Sequence, residues 1–158
     1  MCLTLLYACG LRISEGVRLQ VADIDGARRV LRVTGKGRRQ REVPIPDPVL
    51  AKLRGYWREA RPRPWLFPKR MATGPVSVKS LRLSFDSAVR QSGIAKAVTP
   101  HRLRHSYATG LLERGVSVRV IQMLLGHANP KTTAIYTHLT AGILQEVSAA
   151  LNSLTEQL

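Results

Sequence analysis

Acidic residues are scarce in this chain of 158 residues. Asp and Glu number 10 against 25 Lys and Arg, so the formal net charge is +15. Such an excess creates a positive field that attracts polyanions, and the release of counterions from phosphates then contributes affinity. Nucleic acid is the partner we expect first, although an anionic membrane surface or ribosomal RNA would suit the charge equally well.

Cysteines and long apolar runs are also scarce. Cys2 and Cys9 are the two cysteines, and their spacing in an apolar segment predicts packing as small hydrophobic side chains. They imply no disulfide framework and fit a reducing cytosol. No run approaches the ~20 apolar residues of a membrane span, and the apolar start of the chain lacks the basic segment of a secretory signal.

The composition that remains is typical of one globular domain, with 44% hydrophobic and 22% charged residues. Apolar periodicity predicts a helix over 2–19, bent at Gly10, and a β-hairpin formed by 30–33 and 41–45. Capping residues and breakers predict further helices, which begin near Pro46, Ser77, Thr99 and Ser117, and a helix or turn that begins near Asn129. A last amphipathic segment covers residues 144–154.

Three places in this pattern hold charged residues that are candidates for a functional site. Arg12 and Glu15 lie one turn apart in an apolar segment, where a charge is costly unless it has a partner. They form either a structural ion pair or part of an anion site. Lys36 occupies the tip of the hairpin between Gly35 and Gly37, which is either a solvated turn or a basic contact, and the glycine spacing does not match a Walker A loop.

The helix after Thr99 carries the third set of residues. His101 and Arg104 share a face near the positive end of this helix, where an anion is favoured. His101 and His105 have a spacing that can chelate zinc, but the Glu of a metalloprotease motif is missing and Arg104 would repel the metal. We therefore favour an anion over zinc.

A tyrosine near the end of the chain completes a chemically coherent set. Cleaving a phosphodiester without a metal requires cations on the non-bridging oxygens, an acid for the leaving oxygen and a nucleophile that can hold the phosphoryl group. Arginine pairs bidentately with phosphate, and a tyrosine phenolate leaves readily, so its covalent step is reversible. On its own, Tyr136 would be read as an ordinary core or surface residue.

Five motifs occur in an order that resembles the tyrosine recombinase (phage integrase) family. They are Ala8-Cys9-Gly10-Leu11-Arg12-Ile13-Ser14-Glu15, Gly35-Lys36-Gly37, Thr99-Pro100-His101-Arg102-Leu103-Arg104-His105-Ser106, Leu124-Leu125-Gly126-His127 and Thr132-Thr133-Ala134-Ile135-Tyr136-Thr137-His138. The resemblance covers nearly the whole chain, and its closest match is the Xer-like and integron-integrase-like branch.

This resemblance implies a role for each site residue. Arg12 and Arg104 would clamp the scissile phosphate, with Glu15 supporting Arg12 and His105 supporting its own motif. Lys36 would be the general acid toward the leaving 5′ oxygen. His101 would act as acid and base toward the tyrosine hydroxyl, and His127 would donate a hydrogen bond to the phosphate. Tyr136 would be the nucleophile. Further DNA contacts would come from Arg38, Arg39, Arg41 and Arg102.

The resemblance also implies a fold and partners. The fold would be mainly α with a small antiparallel sheet, and residues 1–158 would be a catalytic domain that lacks the core-binding domain and first catalytic helix found in family members. The partner would be double-stranded DNA, bound by a homotetramer that exchanges residues 144–154, with no metal or nucleotide cofactor and no membrane. We expect a cytoplasmic, nucleoid-associated prokaryotic protein. A DNA-binding remnant and a type IB topoisomerase-like enzyme are the alternatives.

Overall fold

The computed structural model of the chain describes residues 1–35, 37, 40–71, 74–126, 141–156 and 158. The predicted fold class, mainly α with a small antiparallel sheet, is confirmed. The helices are α1 (Cys2–Ala8), α2 (Ile13–Gly16), α3 (Asp47–Ala60), α4 (Val78–Gln91), α5 (Pro100–Glu113), α6 (Val118–Leu125) and α7 (Ala141–Thr155), and the strands are β1 (Ile24–Asp25), β2 (Val30–Thr34) and β3 (Gln40–Pro44). None of the described helices is both long and apolar enough to cross a membrane.

Two short helices replace the single helix predicted over residues 2–19. The chain turns at Gly10, whose φ of +58° lies in the left-handed region that favours glycine. A Cβ atom at this position would lie 2.5 Å from Cδ1 of Tyr107, so a larger residue would also collide with a buried ring. Arg12 follows in an extended conformation and is the N-cap residue of α2.

The predicted hairpin is confirmed, and β1 extends it to an antiparallel sheet in the order β1-β2-β3. Val33 lies opposite Arg41, and Leu31 lies opposite Val43. These inner apolar residues are buried, so one face of the sheet packs on the core. The last strand pair joins Thr34 to Gln40, so residues 35–39 are the connection between β2 and β3 in the sequence.

Four predicted helix starts are confirmed: Pro46, Ser77, Thr99 and Ser117 are the N-cap residues of α3, α4, α5 and α6. The start predicted at Asn129 lies outside the described residues. The hydroxyl of Ser77 accepts a hydrogen bond from the backbone N–H of Ser80 at 2.9 Å, which satisfies one of the free donors in the first turn of α4. Ser117 starts α6 in the same way, and Gly126 ends it in the left-handed conformation. Thr99 is the N-cap residue of α5 but makes no side-chain capping bond.

Buried apolar side chains form two clusters. The first joins α1, the sheet and α3 and includes Leu5, Leu31 and Leu53. The second joins α5, α6 and α7 and includes Tyr107 and Leu151, together with Leu111, Leu124 and Val147. The helix α7 therefore packs on its own chain. Its Asn152 also accepts a hydrogen bond from the backbone N–H of Asp47 at 2.8 Å.

Candidate functional site

The candidate site is built around the buried carboxylate of Glu15, whose side chain is 4% exposed. Its Oε1 accepts hydrogen bonds from Nη1 of Arg12 at 3.0 Å and from Nη1 of Arg41 at 2.9 Å. Its Oε2 accepts from the backbone N–H of Arg12 at 2.9 Å and from Nη2 of Arg41 at 2.8 Å. Each carboxylate oxygen thus accepts two hydrogen bonds.

These contacts keep Glu15 ionised. Burial alone would raise the pKa of its carboxyl, but the hydrogen bonds and charge of Arg41 and the hydrogen bonds of Arg12 outweigh burial and hold the pKa below its usual value. With its acceptor positions occupied and its proton lost, Glu15 is suited to orienting arginines and unsuited to transferring protons.

Arg104 approaches the same carboxylate from α5. Its Nη1 lies 3.9 Å from Oε2 of Glu15 and donates a hydrogen bond to the carbonyl of Gly10 at 2.7 Å. Its Nη2 donates to the carbonyl of Leu125 at the end of α6. Burial lowers the pKa of Arg104 to about 10, and the charges of Arg12 and Arg41 act in the same direction, so the guanidinium remains charged at neutral pH.

The cluster carries an excess of positive charge. Arg12, Arg41 and Arg104 contribute three positive charges around the single negative charge of Glu15, so two positive charges remain uncompensated within it. Arg12 is the exposed member, with 43% of its side chain accessible. A group of this kind favours an anion that approaches from the Arg12 side.

Arg41, for which the resemblance implies a DNA contact, is largely buried in the structure. Only 12% of its side chain is exposed, and its guanidinium faces Glu15 and α6. The strand pattern contains the missed signal. Arg41 alternates with the buried residues Val43 and Ile45, and residues two apart on a strand share a face.

The other predicted residues of α5 are on its surface. His101, Arg102 and His105 are exposed, and His101 precedes the buried Arg104 by one helical turn. Within the described ranges, no three His, Cys, Asp or Glu residues are placed to hold a metal ion.

Lys36, Arg38, Arg39, His127 and Tyr136 lie outside the described residues.

Two flanking segments can nevertheless be placed. Gly35 and Gly37, on either side of Lys36, line a cavity of about 350 Å³ together with Glu15 and Arg18. Gly126, which precedes His127, is positioned so that a Cβ atom would lie 3.1 Å from Cδ of Arg41. Both segments therefore approach the arginine cluster.

Comparison with known protein families gives this cluster a context. The model of the Phage integrase family matches residues 1–142. The chain belongs to the phage integrase family. Among its relatives is the putative integrase/recombinase y4qK of Sinorhizobium fredii, which is 47% identical over 138 residues, or 87% of this chain and 45% of the relative.

Xer proteins are prominent among the other phage integrase relatives. Tyrosine recombinase XerA of Pyrococcus furiosus is 43% identical, covering 95% of this chain and 53% of the relative. A crystal structure of XerA recombinase superposes with a TM-score of 0.73 at 31% identity, covering 92% of this chain and 54% of that one. These matches support the Xer-like branch. The chain spans about half the length of the curated relatives it matches.

Proposed function

We propose that this chain cuts and rejoins DNA at specific sites through a 3′-phosphotyrosyl intermediate on Tyr136. The observation that carries the proposal is the convergence of Arg12 and Arg104, which are distant in sequence, on the carboxylate of Glu15. The uncompensated positive charge suits a scissile phosphate, whose negative charge must be balanced as the phosphorus is attacked. Family membership adds support from the sequence.

In the proposed reaction, Arg12 and Arg104 bind the non-bridging oxygens while the Tyr136 oxygen attacks phosphorus. The tyrosine proton passes to His101, the bond from phosphorus to the 5′ oxygen breaks, and Lys36 supplies a proton to that leaving oxygen. His127 donates a hydrogen bond to the phosphate. Attack by a 5′ hydroxyl on the phosphotyrosine reverses each step and joins the strands. The cavity shared by Gly35, Gly37 and Glu15 supports the role of Lys36.

The partner in this proposal is double-stranded DNA. The net charge of +15 favours it, and Lys36, Arg38, Arg39 and Arg102 would contact the backbone. The XerH recombinase, which is 23% identical and has the same fold with a TM-score of 0.72, was solved bound to its palindromic difH substrate. We place the protein in the prokaryotic cytoplasm with the nucleoid.

Assembly into a tetramer on DNA is the remaining part of the proposal. The buried face of α7, formed by Val147 and Leu151, packs on its own chain. Every subunit has the same packing surface for α7, so residues 144–154 of a neighbour would make the same contacts there after exchange.

A nicked suicide duplex tests the chemistry. The duplex is selected by binding from a random-sequence pool, and its nick lets the short cleaved fragment diffuse away, so that the covalent adduct accumulates. We expect the wild-type chain and Tyr7→Phe to form the adduct and Tyr136→Phe to form none while binding DNA normally. Absence of a wild-type adduct would favour a binding remnant, whereas plasmid relaxation without joining of two sites would favour a topoisomerase.

A further inference from the structure

Arg41 uses all three nitrogens of its guanidinium within the protein. Nη1 and Nη2 bind both oxygens of Glu15 at 2.9 and 2.8 Å, and Nε donates to the carbonyl of Leu124 at 2.7 Å. One planar group therefore connects β3, α2 and the end of α6. A bidentate pair of this kind fixes direction as well as distance.

Each connection leads to a residue that the proposed reaction uses. Glu15, held on one side by Arg41, holds Arg12 on the other. The last carbonyls of α6 are shared between two arginines, because Arg41 binds that of Leu124 and Arg104 binds that of Leu125. These carbonyls have no partner within the helix, and cations at this end are favoured by the helix dipole.

The end of α6 is fitted closely to Arg41. Gly126 has a φ of +66°, and a Cβ atom there would lie 3.1 Å from Cδ and 3.2 Å from Nη1 of Arg41. His127 is the next residue. Arg41 also directly follows Gln40, whose strand partner Thr34 precedes Lys36 by two residues in the sequence.

From these contacts we infer that Arg41 is a positioning residue for DNA cleavage, which sets the mutual placement of Arg12, Arg104 and the chain segment entering His127. The inference rests on the proposed function. Arg41 itself does not touch the phosphate in this scheme. It acts through Glu15 and through the carbonyl of Leu124.

The substitution Arg41→Lys separates this role from charge. A lysine keeps the positive charge but cannot bind both oxygens of Glu15 and the Leu124 carbonyl at once. Arg28→Lys is the matched control, because Arg28, in the turn between β1 and β2, makes an exposed bidentate pair with Glu42 of β3 at 2.7 and 2.8 Å.

Single-turnover cleavage of the nicked duplex and DNA affinity are measured for each variant. Misplacing reacting groups by about 1 Å costs up to ~100-fold in rate, so we expect Arg41→Lys to slow adduct formation at saturating DNA by about 10- to 100-fold. Its dissociation constant for DNA should stay near that of the wild type. We expect Arg28→Lys to change neither quantity. Normal cleavage by Arg41→Lys would overturn the inference, as would a loss confined to affinity.

The double variant shows whether Arg41 acts through Glu15. Once Glu15→Gln has weakened the shared anchor, Arg41→Lys should slow cleavage further by much less than it does in the wild type. If the rate reductions caused by Glu15→Gln and Arg41→Lys multiplied in full, Arg41 would not act through Glu15.

A third measurement, independent of activity, separates this inference from the proposed function. Nε–H signals of Arg12 and Arg104 in nuclear magnetic resonance spectra should shift in Arg41→Lys and not in Arg28→Lys. If the wild type forms no adduct, the proposed function fails for this chain, and unshifted arginine signals would then also reject the positioning role.

Discussion

Tyr107 is an unusual buried residue because its hydroxyl has no hydrogen-bond partner within the described part of the chain. Its side chain is fully buried, and burial raises the pKa of the hydroxyl, so the group stays neutral. Tyr56 offers a contrast, since its hydroxyl donates to the carbonyl of Leu66 at 2.9 Å. The ring of Tyr107 is useful for packing against Gly10, whereas its hydroxyl carries an uncompensated desolvation cost.

Removing the two hydroxyls should therefore have opposite effects. An unpaired buried hydroxyl costs about 1–3 kcal/mol, so we expect Tyr107→Phe to raise the free energy of unfolding by ~1 kcal/mol. Tyr56→Phe loses a satisfied hydrogen bond and should lower it by ~1 kcal/mol. Urea titrations of both variants measure the difference. A loss of stability in Tyr107→Phe would mean that the hydroxyl has a favourable interaction.

We expect Glu15 to make a pH-dependent contribution to the free energy of unfolding. Its pKa is lower in the folded chain than in the unfolded chain, so the carboxylate stabilises the fold above the unfolded value of about 4.3, and this contribution is lost as the pH falls through the folded value. Glu15→Gln should cost about 3 kcal/mol at neutral pH, because it leaves the arginines uncompensated. The difference from the wild type should shrink in acid. A difference constant from pH 7 to 3 would contradict this, and exposed Glu59→Gln is the control.

At the scale of elements, the break between α1 and α2 shapes the site. It lets the carbonyl of Gly10 accept a hydrogen bond from Arg104, and it places Arg12 at the start of α2, beside Glu15. A continuous helix would have used the Gly10 carbonyl for its own backbone. The left-handed glycine is therefore a condition for the arginine cluster.

Gly10→Ala tests this condition against a matched glycine. Gly93 also has a positive φ, +70°, but a Cβ atom there meets nothing within 4 Å. Gly93→Ala should lower the free energy of unfolding only by the cost of a left-handed backbone at a residue with a Cβ atom, about 1–2 kcal/mol. Gly10→Ala should lose clearly more unfolding free energy, because its Cβ also meets the Tyr107 ring. If urea titrations gave equal losses of unfolding free energy for the two variants, the Tyr107 ring would be able to move aside at no cost.

The break at Gly10 and the inward-facing side chain of Arg41 are two features of the site that were not predicted from the sequence. Apolar periodicity and capping residues predicted the helices from α3 to α6, because these signals are local. Periodicity does not report a positive φ, so residues 2–19 were predicted as one helix. The family resemblance implied the same role, a DNA contact, for Arg41 as for Arg38 and Arg39. The alternation of Arg41 with Val43 and Ile45 indicates the inward face of the strand, but its partners there, Glu15 and the carbonyl of Leu124, come from elements remote in sequence.

At the scale of the whole molecule, the arginine cluster lies where the two hydrophobic clusters meet. Arg12 and Arg41 belong to elements of the first cluster, whereas Arg104 belongs to α5 in the second. The clusters also touch through Gly10 and Tyr107. The geometry of the site therefore depends on both clusters being folded at once, and a chain in which either cluster unfolded alone would lose the arginine cluster.

We accordingly predict a single cooperative unfolding transition. Trp57 and Trp65, the two tryptophans, lie in the half of the chain that builds the first cluster, so fluorescence reports on that cluster. Circular dichroism at 222 nm also reports on α5, α6 and α7. Urea curves from the two signals should coincide because ion pairs and packed side chains join the clusters.

A variant in the second cluster makes the test decisive. Leu151→Ala opens a cavity at a fully buried position in α7, which costs about 2–5 kcal/mol, and it should move the fluorescence curve as far as the dichroism curve. Leu112→Ala, at a leucine that is 52% exposed, should move neither curve appreciably. If Leu151→Ala shifted the dichroism curve alone, the two clusters would be separate units. The junction at Glu15 would then be too weak to hold the arginines in one arrangement.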